Sequence, residues 1–127
     1  MPALPKHDAL AHQPASLETV KKIALVAECA VKSQYGWLQW GNDCRRRMTA
    51  TINMLTPGDA DSTVEWKLQD NSTVTLTFEK LRDLALEADA LAGPRIAWVF
   101  QRVQAIKEKL ESGGRVTMRD IAPDTWF

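Results

Sequence analysis

Three consecutive arginines, Arg45, Arg46 and Arg47, follow two tryptophans, Trp37 and Trp40, and this group most resembles a binding site. Guanidinium groups beside aromatic rings can hold single-stranded nucleic acid through ion pairs and base stacking, and they can equally hold an acidic protein surface. On a helix, however, each residue turns by about 100°, so three successive side chains spread over about 300°. The three arginines therefore cannot all face one ligand.

The charge balance argues against nucleic acid as the partner. The chain has 127 residues with 16 basic and 16 acidic side chains, so its formal net charge is zero. Affinity for nucleic acid depends on many contacts between basic side chains and phosphates. A chain with as many acidic as basic side chains has no excess of positive charge to attract the phosphates. Single-stranded nucleic-acid binding is therefore kept only as the third hypothesis for the function.

The sequence lacks the residue patterns that are typical of catalytic, metal and cofactor sites. The cysteines, Cys29 and Cys44, lack CxxC spacing, and the histidines, His7 and His12, both lie in the N-terminal segment. A zinc site needs about four ligands, and a nucleophile needs a base within reach. We therefore predict no catalytic residues, no metal, no cofactor and no enzymatic activity, and we expect free thiols in a reducing compartment.

Residues 64–91 contain the clearest structural pattern. Val64, Trp66 and Leu68 alternate with polar residues, which predicts a half-buried strand over residues 64–69. A turn over residues 70–72 and a second alternating run over Thr73–Thr77 complete a β-hairpin with one apolar face. From Thr77, a helix cap, the apolar spacing changes to three or four residues, so a helix should follow and cover that face.

The remaining elements predict a mainly helical α+β fold, with four to five helices packed on one β-hairpin. Residues 37–40 fit a third short strand or an ordered loop, and Gly93-Pro94 should separate two helices. We assign residues 1–15 to a flexible tail and residues 16–127 to a single domain. No apolar run has the length of a membrane span. The predicted helices cover residues 17–33, 44–55, 78–91 and 94–111, and a short capped helix is expected after Thr117.

The five tryptophans are divided by their positions in this pattern. Trp66 and Trp98 fall on or beside predicted apolar faces and should belong to the core. Trp37, Trp40 and Trp126 lie in loops or at ends, where aromatic residues either anchor a protein interface or pack on the domain's own core. The candidate interface residues are Trp37, Trp40, Arg45, Arg46, Arg47, Trp126 and Phe127.

From Trp66 onward the sequence resembles an uncharacterised domain family of tailed bacteriophages and prophages, often found at the C-terminal end of tail-fibre proteins. The resemblance is carried by Trp66-Lys67, Asp70-Asn71 and residues 74–77, then by Leu81, Leu84 and the helix over residues 96–110, with Thr117 and Ile121 in a short capped helix. It covers about residues 16–121, and Gly36-Trp37 with residues 43–52 match more loosely. The Gly113-Gly114 pair and the Trp126-Phe127 ending depart from the pattern.

The resemblance implies a phage or prophage origin and a structural or accessory role. We therefore expect a non-enzymatic protein that acts by protein–protein contact, either as a tail-fibre-associated module or as a tail-fibre assembly factor. The alternative is a small inhibitor of a host defence complex. The expected partner is a phage tail protein or a host protein, a homo-oligomer stays open, and the expected location is the bacterial host cytoplasm or the virion.

Overall fold

The computed structural model describes residues 11–127, so most of the predicted N-terminal tail lies outside the described residues. The predicted α+β, mainly helical class is confirmed, but the described residues form three α-helices and two separate two-stranded antiparallel sheets. The elements in chain order are α1 (Leu17–Ala27), β1 (Ala30–Ser33), β2 (Gly36–Gln39), α2 (Asn42–Met54), β3 (Thr63–Lys67), β4 (Thr73–Thr77), α3 (Phe78–Glu111) and a terminal 3₁₀-helix (Pro123–Trp126).

The contacts divide the chain into two compact units. Among the described residues, the terminal unit comprises residues 11–28 and Ala97–Phe127, and the central unit comprises Cys29–Ile96. Helix α3 contributes its first part to the central unit and its last part to the terminal unit. The assignment of residues 16–127 to a single domain stays a prediction.

The terminal unit has an apolar core between α1 and the last third of the chain. Ser16 caps α1, as its side chain accepts a hydrogen bond from Thr19 N (3.2 Å). Ala15, at the end of the predicted tail, is buried and donates its N–H to Val116 O (2.8 Å). The core residues of this unit are Ala15, Val20, Ala24, Ala27, Val99, Val103, Val116, Ile121 and Trp126.

The predicted hairpin is confirmed in the central unit, where β3 and β4 pair antiparallel with Trp66 opposite Val74. Its apolar face is buried, since Leu68 and Leu76 are 6% and 1% exposed. Thr77 also caps the following helix as expected, because its hydroxyl accepts a hydrogen bond from Lys80 N (3.4 Å). The core of the central unit comprises Val31, Leu38, Trp40, Cys44, Met48, Leu68, Leu76, Leu81, Leu84 and Ala88.

The first helix is shorter than predicted, because residues 30–33 form a strand. β1 pairs antiparallel with β2 in a second hairpin, with Ser33 opposite Gly36. The Ser33 hydroxyl donates to Gly36 O (2.8 Å) and accepts from Tyr35 N (3.2 Å), which closes the turn. Gly36 has φ +125°, a conformation that residues with a Cβ rarely adopt. The predicted third strand near Trp37 and Trp40 is therefore confirmed as β2, over Gly36–Gln39.

The predicted helix break at Gly93-Pro94 is wrong, because α3 runs through both residues. A proline inside a helix removes one backbone hydrogen bond and costs about 3 kcal/mol. Leu84 on one side of this pair and Val99 on the other are both buried. Burial of each side chain of this size contributes about 1.5–3 kcal/mol to stability. The burial of side chains on both sides of Pro94 therefore stabilises the helix by more than the proline destabilises it.

The turn of the β3–β4 hairpin yields a test of backbone strain. Asn71 has φ +71°, in the left-handed region where a Cβ is disfavoured and where Asn is tolerated better than most residues. We expect Asn71→Ala to lower the free energy of unfolding by about 1 kcal/mol, and Asn71→Gly to leave it within about 0.5 kcal/mol. Urea denaturation would measure both values, and an alanine variant as stable as the wild type would contradict the strain.

The turn at Thr117 yields a test of pH dependence. The Asp120 carboxylate accepts a hydrogen bond from Thr117 N (2.9 Å), and this bond, with a second from Thr117, lowers the pKa of Asp120 below its usual value. A carboxyl group whose pKa is lowered by folding stabilises the protein above its unfolded-state pKa, and the contribution is lost as the pH falls through the folded-state pKa. We therefore expect the stability of Asp120→Asn to fall less than that of the wild type between about pH 5 and pH 2.

Thermal unfolding followed by circular dichroism at several pH values would measure this difference. Asp124→Asn is the matched control, because Asp124 is an exposed acid of the same unit in the first turn of the 3₁₀-helix. Parallel stability profiles for Asp120→Asn and the wild type across this range would show that the Thr117 hydrogen bonds do not favour the charged carboxylate.

Candidate functional site

The three arginines of α2 point to three different surroundings, as the helical spacing requires. Arg45 Nη2 lies 3.1 Å from Asp89 Oδ1, and its guanidinium carbon lies 5.8 Å from the centre of the Trp40 ring. Arg46 pairs at 3.7 Å with Asp43 on the exposed side of the helix, where an ion pair contributes little. Arg47 instead lies beside Cys44.

Trp40 is buried in the central unit, which is the alternative that the sequence left open for it. It is 7% exposed, and its indole Nε1 donates to Asp89 Oδ1 (3.0 Å), the oxygen that also pairs with Arg45. The donor, the acid and the arginine thus satisfy one another within the fold. Trp37 is half-buried, and the guanidinium carbon of Arg95 lies 5.1 Å from the centre of its ring.

Trp126 is also buried, within the terminal unit. It is 0% exposed, its Nε1 donates to Ile121 O (3.1 Å), and the guanidinium carbon of Arg102 lies 4.1 Å from its ring centre. Arg102 also donates to the carbonyl oxygens of Asp120 and Thr125, which ties the end of the chain to α3. Trp126 therefore belongs to the core, while its neighbour Phe127 is 47% exposed.

The other two tryptophans differ from each other. Trp66 is half-buried and packs against the core of the central unit. Trp98 is 44% exposed, so the prediction that it is a core residue is wrong. The buried residue at this point of α3 is its neighbour Val99, which lies about 100° further around the helix. Nothing tests the interface role of Trp37, Arg45, Arg46, Arg47 and Phe127, which are exposed or half-buried, and it stays a prediction.

A groove of about 610 Å³ lies in the central unit between α2 and β3. The α2 wall presents Cys44, Arg47 and Thr51, which are spaced by three and four residues and so share one helix face. The opposite wall consists of the last three residues of β3, Glu65 to Lys67, and the next two residues, Leu68 and Gln69. The full lining is Gln39, Cys44, Arg47, Ala50, Thr51, Glu65, Trp66, Lys67, Leu68, Gln69 and Asn71.

Two buried polar atoms of groove residues have no hydrogen-bond partner within the described part of the chain. They are the donor Trp66 Nε1 and the acceptor Gln69 Oε1. Leaving a buried polar group unpaired costs about 1–3 kcal/mol, and most buried polar groups in folded proteins are paired. Both residues line the groove, but the two atoms themselves are not accessible to solvent, so a ligand with both kinds of group could pair with them only after the two side chains turn toward the groove.

The charged groups of the groove differ in sign. Arg47 and Lys67 are basic and Glu65 is acidic, so these three side chains carry a formal excess of one positive charge. Burial raises the pKa of the Cys44 thiol, while Arg47 opposes that rise by its charge and a hydrogen bond. A raised thiol pKa keeps Cys44 protonated at neutral pH, where a thiol is a weak nucleophile. Residues 11–127 contain no group of three or more His, Cys, Asp or Glu side chains positioned to hold a metal ion.

Comparison with known proteins identifies the family. The model of the Domain of unknown function DUF4376 matches residues 17–125, which is most of the chain. The chain belongs to the DUF4376 family. No curated protein and no solved structure matches it. The match confirms the coarse part of the resemblance, an uncharacterised domain over nearly the expected range, and it says nothing of phage or tail fibres.

The groove of this DUF4376 domain includes one of the predicted interface residues, Arg47. Gln39, Thr51 and Gln69 are polar residues without a motif, and their positions become related only when β3 lies beside α2. A second indication in the sequence is Trp66, a large residue with a polar N–H on a strand that is only half-buried. No helix among residues 11–127 is both long and apolar enough to span a membrane.

The unpaired acceptor predicts an unusual effect on stability. Gln69→Met keeps a long side chain and removes Oε1, so we expect the free energy of unfolding to rise by about 1 kcal/mol. The matched control is Gln39→Met, because Gln39 is an exposed glutamine of the same groove and its substitution should stay within about 0.5 kcal/mol. Urea denaturation measures both, and a loss of stability in Gln69→Met alone would mean that Oε1 is satisfied in solution.

Proposed function

We propose that this chain is a non-enzymatic docking protein of a tailed bacteriophage or prophage, either a tail-fibre-associated module or a tail-fibre assembly factor. In this proposal, the groove between α2 and β3 receives part of a protein partner. The unpaired pair Trp66 Nε1 and Gln69 Oε1 carries the proposal.

A protein is the ligand class that suits this pair best. Every peptide unit has one carbonyl oxygen, which can accept from an indole N–H, and one N–H, which can donate to an amide oxygen. Binding of such a ligand, with the two side chains turned toward the groove, would satisfy both atoms. Each would otherwise keep its desolvation penalty.

The composition of the groove also suits a protein partner. Trp66, Leu68 and Ala50 offer apolar contact, and Arg47 and Lys67 offer charge at the same site. Interfaces between proteins combine aromatic residues and arginine with a polar rim in this way. Arg45 contributes less to such a site, since it is already paired with Asp89.

The phage assignment rests on the resemblance described above. The residues that carry the most specific part of it, Trp66-Lys67 and Asn71, also line the groove. The same short stretch therefore supports both the proposed origin and the proposed mode of action.

Binding to the proteins encoded by neighbouring genes tests the proposal. Purified tail proteins from that neighbourhood would be titrated against the wild type and Gln69→Met by isothermal calorimetry. We expect the wild type to bind one of them and Gln69→Met to bind about five- to tenfold more weakly, since one hydrogen bond of the complex is lost. Gln101→Met is the control, because Gln101 is exposed on α3 outside the groove, and its affinity should be unchanged.

Two outcomes would contradict the proposal. A wild-type chain that binds no tail protein would refute a tail-associated role. Neighbouring genes for regulators, together with binding to a host defence complex, would favour the inhibitor hypothesis instead.

A further inference from the structure

We infer that an extended segment of the protein partner docks along the outer edge of β3 as a third strand. This inference rests on the proposed function and specifies how the groove would be used. It follows from the directions of the β3 backbone groups and from the shape of the groove.

The hydrogen bonds of the hairpin fix which backbone groups face outward. Leu68 N donates to Ser72 O (2.8 Å), so these two residues form a hydrogen-bonded pair that extends the register of β3 with β4. In an antiparallel ladder hydrogen-bonded and non-hydrogen-bonded pairs alternate. Trp66 and Val64 therefore bond to β4, whereas the N–H and C=O groups of Glu65 and Lys67 point away from it.

Gln69 supports this assignment at the end of the strand. It is two residues beyond Lys67 and should direct its N–H outward as well. Gln69 N donates to Trp37 O of β2 (3.0 Å), on the side away from β4. Among the described residues β3 has β4 as its one strand partner, so the edge at Glu65 and Lys67 is available for pairing.

The lining of the groove shows that it follows this edge. Side chains of successive strand residues point to opposite faces, so a groove over one face would contact every second residue. This groove contacts Glu65, Trp66 and Lys67, which are consecutive in β3, and also the next two residues, Leu68 and Gln69. It must therefore run along the backbone edge, with α2 as its second wall.

An extended peptide is the occupant that such an edge recognises. Strand addition gives affinity through main-chain hydrogen bonds, and side-chain contacts then give specificity. Trp66 and Gln69 also line this groove, and each has one buried polar atom without a partner among the described residues, which a peptide could satisfy if the side chain turned toward it. The positive excess of Arg47 and Lys67 over Glu65 favours a neutral or acidic segment over a basic one.

Proline substitutions on the two edges of the hairpin test the inference. Glu65→Pro removes an N–H that points into the groove and does not bond to β4. Thr75→Pro is the matched control, because Thr75 is opposite Glu65 and its N–H points to the other edge. Proline is tolerated at edge positions whose N–H does not bond within the sheet. The probe is the purified neighbouring tail protein that the wild type binds in the calorimetric titration. We expect Glu65→Pro to bind it at least about tenfold more weakly and Thr75→Pro within about twofold of the wild type.

Hydrogen exchange on the unmodified chain gives a second measurement that no folding defect can obscure. We expect the amides of Glu65 and Lys67 to exchange more slowly in the complex than in the free protein, because strand addition protects them. Overlapping synthetic peptides of the tail protein would then locate the docking segment, and we expect a neutral or acidic peptide to bind.

The outcomes separate this inference from the proposed function. Binding of the tail protein without protection of Glu65 and Lys67, and with equal affinity for Glu65→Pro, would overturn strand addition and leave the docking function intact. A wild-type chain that binds no tail protein would overturn both. A dimer in light scattering that Glu65→Pro dissociates would assign the edge to a second copy of this chain and would also overturn the inference.

Discussion

The pairing register of β3 with β4 is the constraint on which the central unit depends. The Asp70 carboxylate accepts from Ser72 N (2.9 Å) and Ser72 Oγ (2.6 Å), and Asn71 adopts a positive φ, so the turn places Leu68 opposite Ser72. That register directs Leu68 and Leu76 into the core. A shift of one residue would move every side chain to the opposite face and would also exchange the outward and inward backbone groups. One local turn therefore determines both the core and the edge that faces the groove.

The groove results from the way in which the core is filled. Met48 and Leu76 are fully buried, which brings α2 and the hairpin into one apolar cluster, with Trp66 packed at its border. Packing of the Trp66 ring leaves its Nε1 buried beside the groove, where no group of the described chain meets it. Trp40 shows the contrasting case, because its Nε1 reaches Asp89 and its polar group is satisfied within the fold.

Local patterns predicted what local interactions determine. The β3–β4 hairpin was predicted to within two residues because its alternation and its turn chemistry lie within one short stretch. The β1 strand was missed because Ala27 and Val31 also fit a helical spacing, and only pairing with β2 decides between the two structures. At Pro94 the local rule failed because the spacing of apolar residues continues from Leu91 and Ala92 to Val99 across the proline. Burial on both sides then outweighs the lost hydrogen bond.

The candidate site was the hardest feature to predict, and the reason is physical. Arginines and tryptophans stand out in a sequence, yet Arg45, Trp40 and Trp126 use their polar groups within the fold. The proposed docking edge depends instead on the backbone N–H and C=O groups of Glu65 and Lys67, and such groups occur in almost every residue. It also depends on Trp66 Nε1 and Gln69 Oε1, which are notable only because no described group pairs with them. An unpaired donor and acceptor penalise an apolar occupant, since it would leave both desolvated without compensation. They favour a ligand rich in amide groups, and a strand edge beside them selects for the same ligand. The two features therefore act in the same direction, so the specificity of this site would come from polar groups that the fold leaves unsatisfied.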